Sequence, residues 1–212
     1  MSPWTEPVRV VAITGAPGVG KTALGVQLGR CYVNSTAMVD LDWLSNIWPW
    51  QPDEPLLRLI ADNLTAVLRR HREWGARIIV VSGVLLPGRV LAWIGHLLED
   101  PEFRWVFYGL RASTETIWSR IAGFTGVQDI EVRMSMAELD SEVQRIPDVR
   151  IIQTDHLSTR EVLDAVLIAE AADGVQLRAS PPARTEPGGP GGLRQWHLDG
   201  TRLVCRSEDP GQ

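Results

Sequence analysis

Residues 8–24 read VRVVAITGAPGVGKTAL, and this stretch decides how the rest of the chain is read. Its first seven residues are short, apolar and mostly β-branched, which predicts a buried strand over 8–14. Gly15, Pro17, Gly18 and Gly20 then fall within six positions. Glycine lets the main chain turn sharply and come close to a ligand. After Lys21 and Thr22, Ala23, Leu24, Leu28 and Cys31 recur at helical spacing, which predicts a helix over 21–31. A strand, a glycine turn and a helix in this order aim the free N–H groups of the helix start at one point. The positive end of the helix dipole faces the same point. The spacing Gly15-x-x-x-x-Gly20-Lys21-Thr22 fits a phosphate loop. Residues Gly15, Ala16, Pro17, Gly18, Val19, Gly20, Lys21, Thr22 and Ala23 are therefore the candidate nucleotide cradle, with Lys21 toward the outer phosphates and the Thr22 hydroxyl toward Mg²⁺.

Outward from this loop, apolar runs alternate with helical patterns. Strands are predicted near 8–14, 37–40, 77–82, 103–109 and 149–154, and helices over 21–31, 54–74, 89–99, 114–123, 131–145 and 158–171. Ser158 and Glu161 are spaced as a capping box at the start of the last helix. Such alternation predicts an α/β fold with a parallel sheet and helices on both faces. Composition shifts near residue 172. SPPARTEPGGPGG (180–192) is mostly proline and glycine and reads as a linker. In RQWHLDGTRLVCR, which follows, Asp199-Gly200 is a hairpin signal; the competing reading is a tail without chemistry. The expected organisation is a domain over 1–171 and a linker with tail over 172–212.

The chain has 212 residues, 44% of them hydrophobic, which suffices for one sizeable core. A net charge of -5 disfavours a nucleic-acid partner, which would need a basic patch. No apolar run approaches the roughly 20 residues of a membrane span. The start MSPWTEPVRV lacks the basic-then-apolar order of a signal peptide. Cys31 and Cys205 stand far apart and form no metal-type pair. A reduced, cytoplasmic protein is the expectation.

TAMVDLDWLSNIWPW (36–50) ends the predicted second strand with Asp40 and Asp42. Ligands gather at the carboxyl ends of strands in parallel sheets, so both carboxylates are expected at the phosphate-loop crevice. Alternation in an extended chain would put them on one side, with Leu41 on the other. One can accept the proton of an attacking hydroxyl, and one can hold Mg²⁺. The competing reading is that one of them caps a helix beginning near Trp43. Trp43, Trp48 and Trp50 can wall an acceptor pocket or fill the core. RIIVVSG (77–83) ends in Ser82-Gly83 with no acidic residue, so the metal falls to Thr22 and the Asp40/Asp42 pair. Ser82 is positioned to assist by a hydrogen bond.

A phosphate loop, Asp-x-Asp after the second strand and VVSG at the end of the third together resemble the small-molecule kinases of the phosphate-loop class. These include the shikimate, gluconate and adenylylsulfate kinases and the chloramphenicol phosphotransferase. GLRASTETIWSRI (109–121) and VRIIQTDHLSTREVLDAVL (149–167) resemble their lid helix and adenine-side loop, so the resemblance spans about 8–171. It implies a five-stranded parallel sheet of order 2-3-1-4-5, with ATP and Mg²⁺ as cofactors. It also implies Asp42 or Asp40 as base, Arg120 near the phosphates and Asp155 with His156 near the adenine. The family's second lid arginine has no counterpart, because Gly123 and Phe124 stand there; Arg133 is the candidate replacement.

The first functional reading is ATP-dependent transfer of a phosphoryl group to a hydroxyl of a small metabolite or natural product, with Asp42 as base. A nucleoside or nucleotide kinase is the alternative, with Arg58, Arg89 and Arg111 as candidates to hold an acceptor phosphate. A nucleotide-binding module with little turnover is the third. No N-K-x-D guanine motif is present.

Overall fold

The computed structural model describes residues 6–44, 53–87, 89–125, 138–178, 195–199 and 202–206. The chain divides into two units, Met1–Pro181 and Pro182–Gln212.

The first unit is built on β1 (Val8–Gly15), in which all eight residues are buried. A strand buried on both faces is apolar at most positions rather than at alternate ones, and its polar exceptions, Arg9 and Thr14, are hydrogen-bonded. β2 (Thr36–Asp40), β3 (Ile78–Ser82), β4 (Phe103–Arg111) and β5 (Arg150–Gln153) complete a five-stranded sheet of order β2-β3-β1-β4-β5. Every pairing is parallel, with Val11 of β1 facing Val80 on one side and Val106 on the other. The β1-to-β2 crossover runs across the sheet in the opposite direction to all later ones. Right-handed crossovers therefore put α1 (Lys21–Cys31) on one face and the helices between β2 and β5 on the other.

α2 (Leu41–Leu44) is a single turn, and α3 (Glu54–Trp74) is the longest helix. Asp53 caps α3 by accepting the Leu56 N–H at 3.0 Å, and Gly75 ends it in the left-handed conformation. Its buried stripe is Leu56, Ile60, Leu64 and Leu68, a regular four-residue recurrence. The helix expected over 89–99 is two short ones, α4 (Val90–Trp93) and α5 (Gly95–Leu98), broken at the buried Ile94. α6 (Thr114–Thr125) follows β4, and α7 covers 138–143 among the described residues. α8 (Thr159–Ala172) opens with the expected box, Ser158 and Glu161 each bonding the other's backbone. It packs on α1.

A polar cluster crosses the core at the other end of the strands from the glycine loop. Glu170 of α8 is fully buried and accepts two bonds from Arg9 of β1, at 2.9 and 2.8 Å. It also accepts the hydroxyls of Tyr32 at 3.0 Å and Tyr108 at 2.8 Å. Asp173 pairs with both Arg9 and Arg150. Arg178 donates to the Tyr32 carbonyl at 2.9 Å, so the segment after α8 is tied back to the end of α1.

In the second unit, β6 (Gln195–Asp199) and β7 (Arg202–Arg206) pair antiparallel with Asp199 opposite Arg202. The pairing agrees with the hairpin that the sequence signals here, while Gly200 lies outside the described residues.

Candidate active site

β1 ends at Gly15 and α1 begins at Lys21, so the loop between them sits at the carboxyl end of the central strand. Gly20 precedes α1 at φ 99°, in the left-handed region that L side chains rarely adopt. A Cβ there would meet nothing within 4 Å and would project into open space beside the loop. No side chain caps the first turn of α1, which leaves its N–H groups available to an anion. Ala16 and Val19 are buried, while Pro17, Gly18, Thr22 and Ala23 are exposed.

Lys21 is only 9% exposed and donates from Nζ to the Ala16 carbonyl at 2.9 Å. Burial lowers its pKa from 10.5 to about 8, opposed by the charges of Asp42 and Asp40. A desolvated ammonium folded over its own loop suits a polyanion, which would favour its charged form.

Asp40 is the hub of the crevice. Its Oδ2 accepts the Thr22 hydroxyl at 2.8 Å and the Ser82 hydroxyl at 2.9 Å. Its Oδ1 accepts the Asp42 N–H at 3.0 Å, so Asp40 also caps the α2 turn. This corrects the extended alternation expected over 40–42, because β2 stops at Asp40 and Asp42 already lies in the helical turn. Gly83 lets the end of β3 approach α2, since a Cβ there would lie 2.6 Å from Leu41 Cβ. The loop beyond β3 is pinned to β1, with Thr14 and Leu85 bonded reciprocally at 2.9 and 3.0 Å.

On one side of the loop lies a cavity of about 260 Å³ lined by Gly18, Gly20, Arg120, Thr154 and Thr159, among others. Arg120 of α6 donates to the Thr154 hydroxyl at 3.1 Å and to its carbonyl at 2.7 Å. Asp155 does not line this cavity. Its carboxylate accepts the Ser113 N–H at 2.7 Å, and Ser113 and Gln153 hold it well below the usual carboxylate range. His156 is exposed.

On the other side, Pro17 and Asp42 border a second cavity of about 190 Å³ whose remaining wall is aliphatic apart from Arg89. Nothing in the sequence pattern marks this wall, because it is assembled from α2, α3, α4, α7 and the loop after β3. Trp43 is 77% exposed and lines a different hollow, with Thr22 and His71. Trp48, Trp50 and Arg133 lie outside the described residues, as does the side chain of Phe124. Of the three arginines weighed for an acceptor phosphate, Arg58 stacks 4.6 Å over Trp93 and Arg111 pairs with Asp140 at 3.0 and 3.1 Å. Arg89 alone of the three reaches the second cavity.

Among the described residues no group of three or more His, Cys, Asp or Glu forms a metal cage. Mg²⁺ in nucleotide sites is typically bound through one or two carboxylates, water and the phosphates themselves. Thr22 and Asp40 fit that pattern. Among the described residues no helix is long and apolar enough to cross a membrane.

The AAA domain family matches residues 11–126, from β1 to the end of α6. No curated protein matches the chain significantly. Solved structures share the fold at low identity. A gluconokinase from Sinorhizobium meliloti 1021 is 18% identical over 79% of this chain and 95% of its own, with a TM-score of 0.56. The Deinococcus radiodurans tunicamycin resistance protein is 16% identical over 82% and 99%, also at 0.56. A shikimate kinase from Aquifex aeolicus vf5 is 13% identical over 78% and 98%, at 0.52. The match covers more than half of the chain and includes the glycine loop, Lys21 and the Thr22–Asp40 hub, so the protein belongs to the AAA domain family, and its fold is the one these phosphate-loop kinases share.

Proposed function

We propose that this protein is an ATP-dependent phosphotransferase that moves the γ-phosphoryl group to a hydroxyl of a small molecule, and that it works in the cytoplasm. The observation that carries this reading is the division of labour between two neighbouring carboxylates. Asp40 accepts from Thr22, Ser82 and the α2 turn beneath the loop, and Asp42 stands exposed on the wall of a cavity beside it. Two carboxylates held in different environments take different roles.

ATP with Mg²⁺ supplies the phosphoryl group and leaves as ADP. The loop amides, the α1 N-terminus and Lys21 would hold the phosphates. The Thr22 hydroxyl donates to Asp40, which turns its oxygen lone pairs outward as a ligand for the cation. Arg120, anchored on Thr154 at the edge of the first cavity, is placed to balance phosphate charge. Asp42 takes the proton of the acceptor hydroxyl as the new O–P bond forms and the β–γ bridge breaks. Occupation of Arg58 and Arg111 elsewhere counts against a nucleotide acceptor.

Mg²⁺-dependent ADP release by the purified chain, with a panel of hydroxyl compounds and Lys21→Ala as blank, tests the reading. Acceptor-stimulated release that vanishes in the blank supports it. Nucleotide binding with no release for any acceptor points instead to a binding module without turnover.

A further inference from the structure

β2 is the outermost strand of the sheet on its side and pairs with β3 alone. The ladder fixes which of its backbone groups are used. Arg9 donates to the Arg77 carbonyl at 3.0 Å, and Ile78 donates to the Ser35 carbonyl at 3.2 Å. Odd-numbered residues of β3 therefore face β1, and even-numbered ones face β2. In β2 the odd-numbered residues face β3 in turn. Thr36 and Met38 point their N–H and C=O groups the other way, past the edge, where among the described residues no strand pairs with them. Sheets blunt an open edge with proline, lysine or a bulge. TAMVD has neither proline nor lysine, and its register with β3 is unbroken.

The edge is lined on both sides. Val26 of α1, Met38 of β2, and Val67 and His71 of α3 border the hollow of about 390 Å³ that Trp43 also lines. Exposed apolar side chains stand at its two ends, Trp43 beyond the carboxyl end of β2 and Val33 before the amino end. Charge divides along the same line. Asp40 and Asp42 occupy the carboxyl end. α1 runs back along the edge, with Thr22 bonded to Asp40 and a Cβ on Gly29 lying 3.8 Å from Thr36 Cγ2. Arg30 therefore stands at the amino end, exposed and in no ion pair with any described residue. An edge that is apolar at both ends, acidic at one and basic at the other, is complementary to itself turned end for end.

We propose that β2 pairs antiparallel with β2 of a second copy of this chain, about a two-fold axis at Met38. Each Met38 exchanges its N–H and C=O with the Met38 of the other copy. Thr36 of one copy faces Asp40 of the other, Trp43 lies toward Val33, and Arg30 meets the acidic end. The contact uses the same surface on both copies, so it closes at a dimer. A foreign strand could take up the backbone groups, but it would not supply this match of charge.

Sedimentation velocity on the full chain, from about 1 to 500 µM, reads the association. Amide exchange by NMR in the same samples reads its location. The chain should pass from monomer to dimer as concentration rises, and exchange of the Met38 amide should slow with it. Exchange at Ala37 and Val39, already bonded to β3, should not change. Thr36→Pro leaves the ladder to β3 intact, because that N–H points outward at the first position of an edge strand. It should raise the dimer dissociation constant about tenfold or more, since the symmetry counts each lost bond twice. Arg30→Glu alters an exposed side chain, and it should weaken the dimer too, as should about 0.5 M salt in the natural chain. Thermal midpoints report whether each variant is folded, and Arg30→Glu decides the matter if Thr36→Pro is not. A chain that stays monomeric throughout, a dimer that the folded variants leave as tight, or Met38 exchange indifferent to concentration would overturn the proposal.

Discussion

Lys21 offers a quantitative test of the candidate site. Burial holds its pKa near 8 in the free protein, against 10.5 ordinarily. At pH 7 about nine-tenths of the molecules then carry the charge, and at pH 9 about one-tenth. A bound triphosphate would return the ammonium toward its ordinary value, because an opposite charge favours the protonated form. Nucleotide affinity should therefore fall about tenfold from pH 7 to pH 9, with uptake of about half a proton per nucleotide at pH 8. Calorimetry in two buffers of different ionisation enthalpy reads both quantities. Lys21→Arg, charged throughout, should lose the pH dependence and the proton uptake. The sign for folding is opposite to that of a paired lysine. The unfolded chain binds the proton more tightly, so the cost of burying charged Lys21 is present below about pH 8 and is relieved as the pH rises from there toward 10.5. Full burial makes that cost on the order of 3 kcal/mol. Lys21→Met should therefore be more stable than the natural protein at pH 7 while losing nucleotide affinity. A nucleotide affinity that stays flat between pH 7 and 9 would refute the reasoning.

Asp42→Asn should leave the nucleotide dissociation constant within about twofold and lower ADP release by about a hundredfold, the scale of a lost general base. Asp40→Asn disturbs Thr22, Ser82 and the α2 turn together, so it should weaken Mg²⁺-dependent nucleotide binding as well as turnover. Glu170→Gln leaves a buried arginine partly uncompensated and should cost about 3 kcal/mol, read as a urea midpoint lower by about 1–2 M. Tyr32 and Tyr108 are the only tyrosines, and burial with Glu170 pushes both phenols far up, so phenolate absorbance should rise only when alkali unfolds the chain. Gly83→Ala meets Leu41 and an unfavourable φ of 152°, and should lower the thermal midpoint, consistent with a loss of about 1–3 kcal/mol.

Local chemistry was legible in the sequence wherever one segment carried it. The strand–glycine–helix order of residues 8–31 and the Ser158–Glu161 box each lie within a few residues, and each is found in the structure, as are the two antiparallel strands that flank the Asp199-Gly200 signal. Residues 40–42 misled because a strand pattern does not announce its last residue; Asp40 both ends β2 and caps the next turn. The 89–99 pattern is apolar throughout its break, since Ile94 is buried although its backbone leaves the helix. The aliphatic cavity beside Asp42 was not legible, because five segments besides the glycine loop build it and none of the five has a distinctive composition. Arg89 was named only as one of three equivalent arginines, and the partners of Arg58 and Arg111 are what set it apart.

The pair between Arg9 and Glu170 joins residues 161 positions apart. A ribosome adding about 5–20 residues per second delivers the central strand roughly ten to thirty seconds before the helix that neutralises it. Through that interval the Arg9 guanidinium has neither Glu170 nor Asp173 to meet it, and burying it would leave a charge uncompensated. The first strand to be made is thus held from final burial until almost the whole first unit has been synthesised. A nascent chain cut short before residue 170 should stay open to proteolysis at its N-terminal end, however complete its glycine loop.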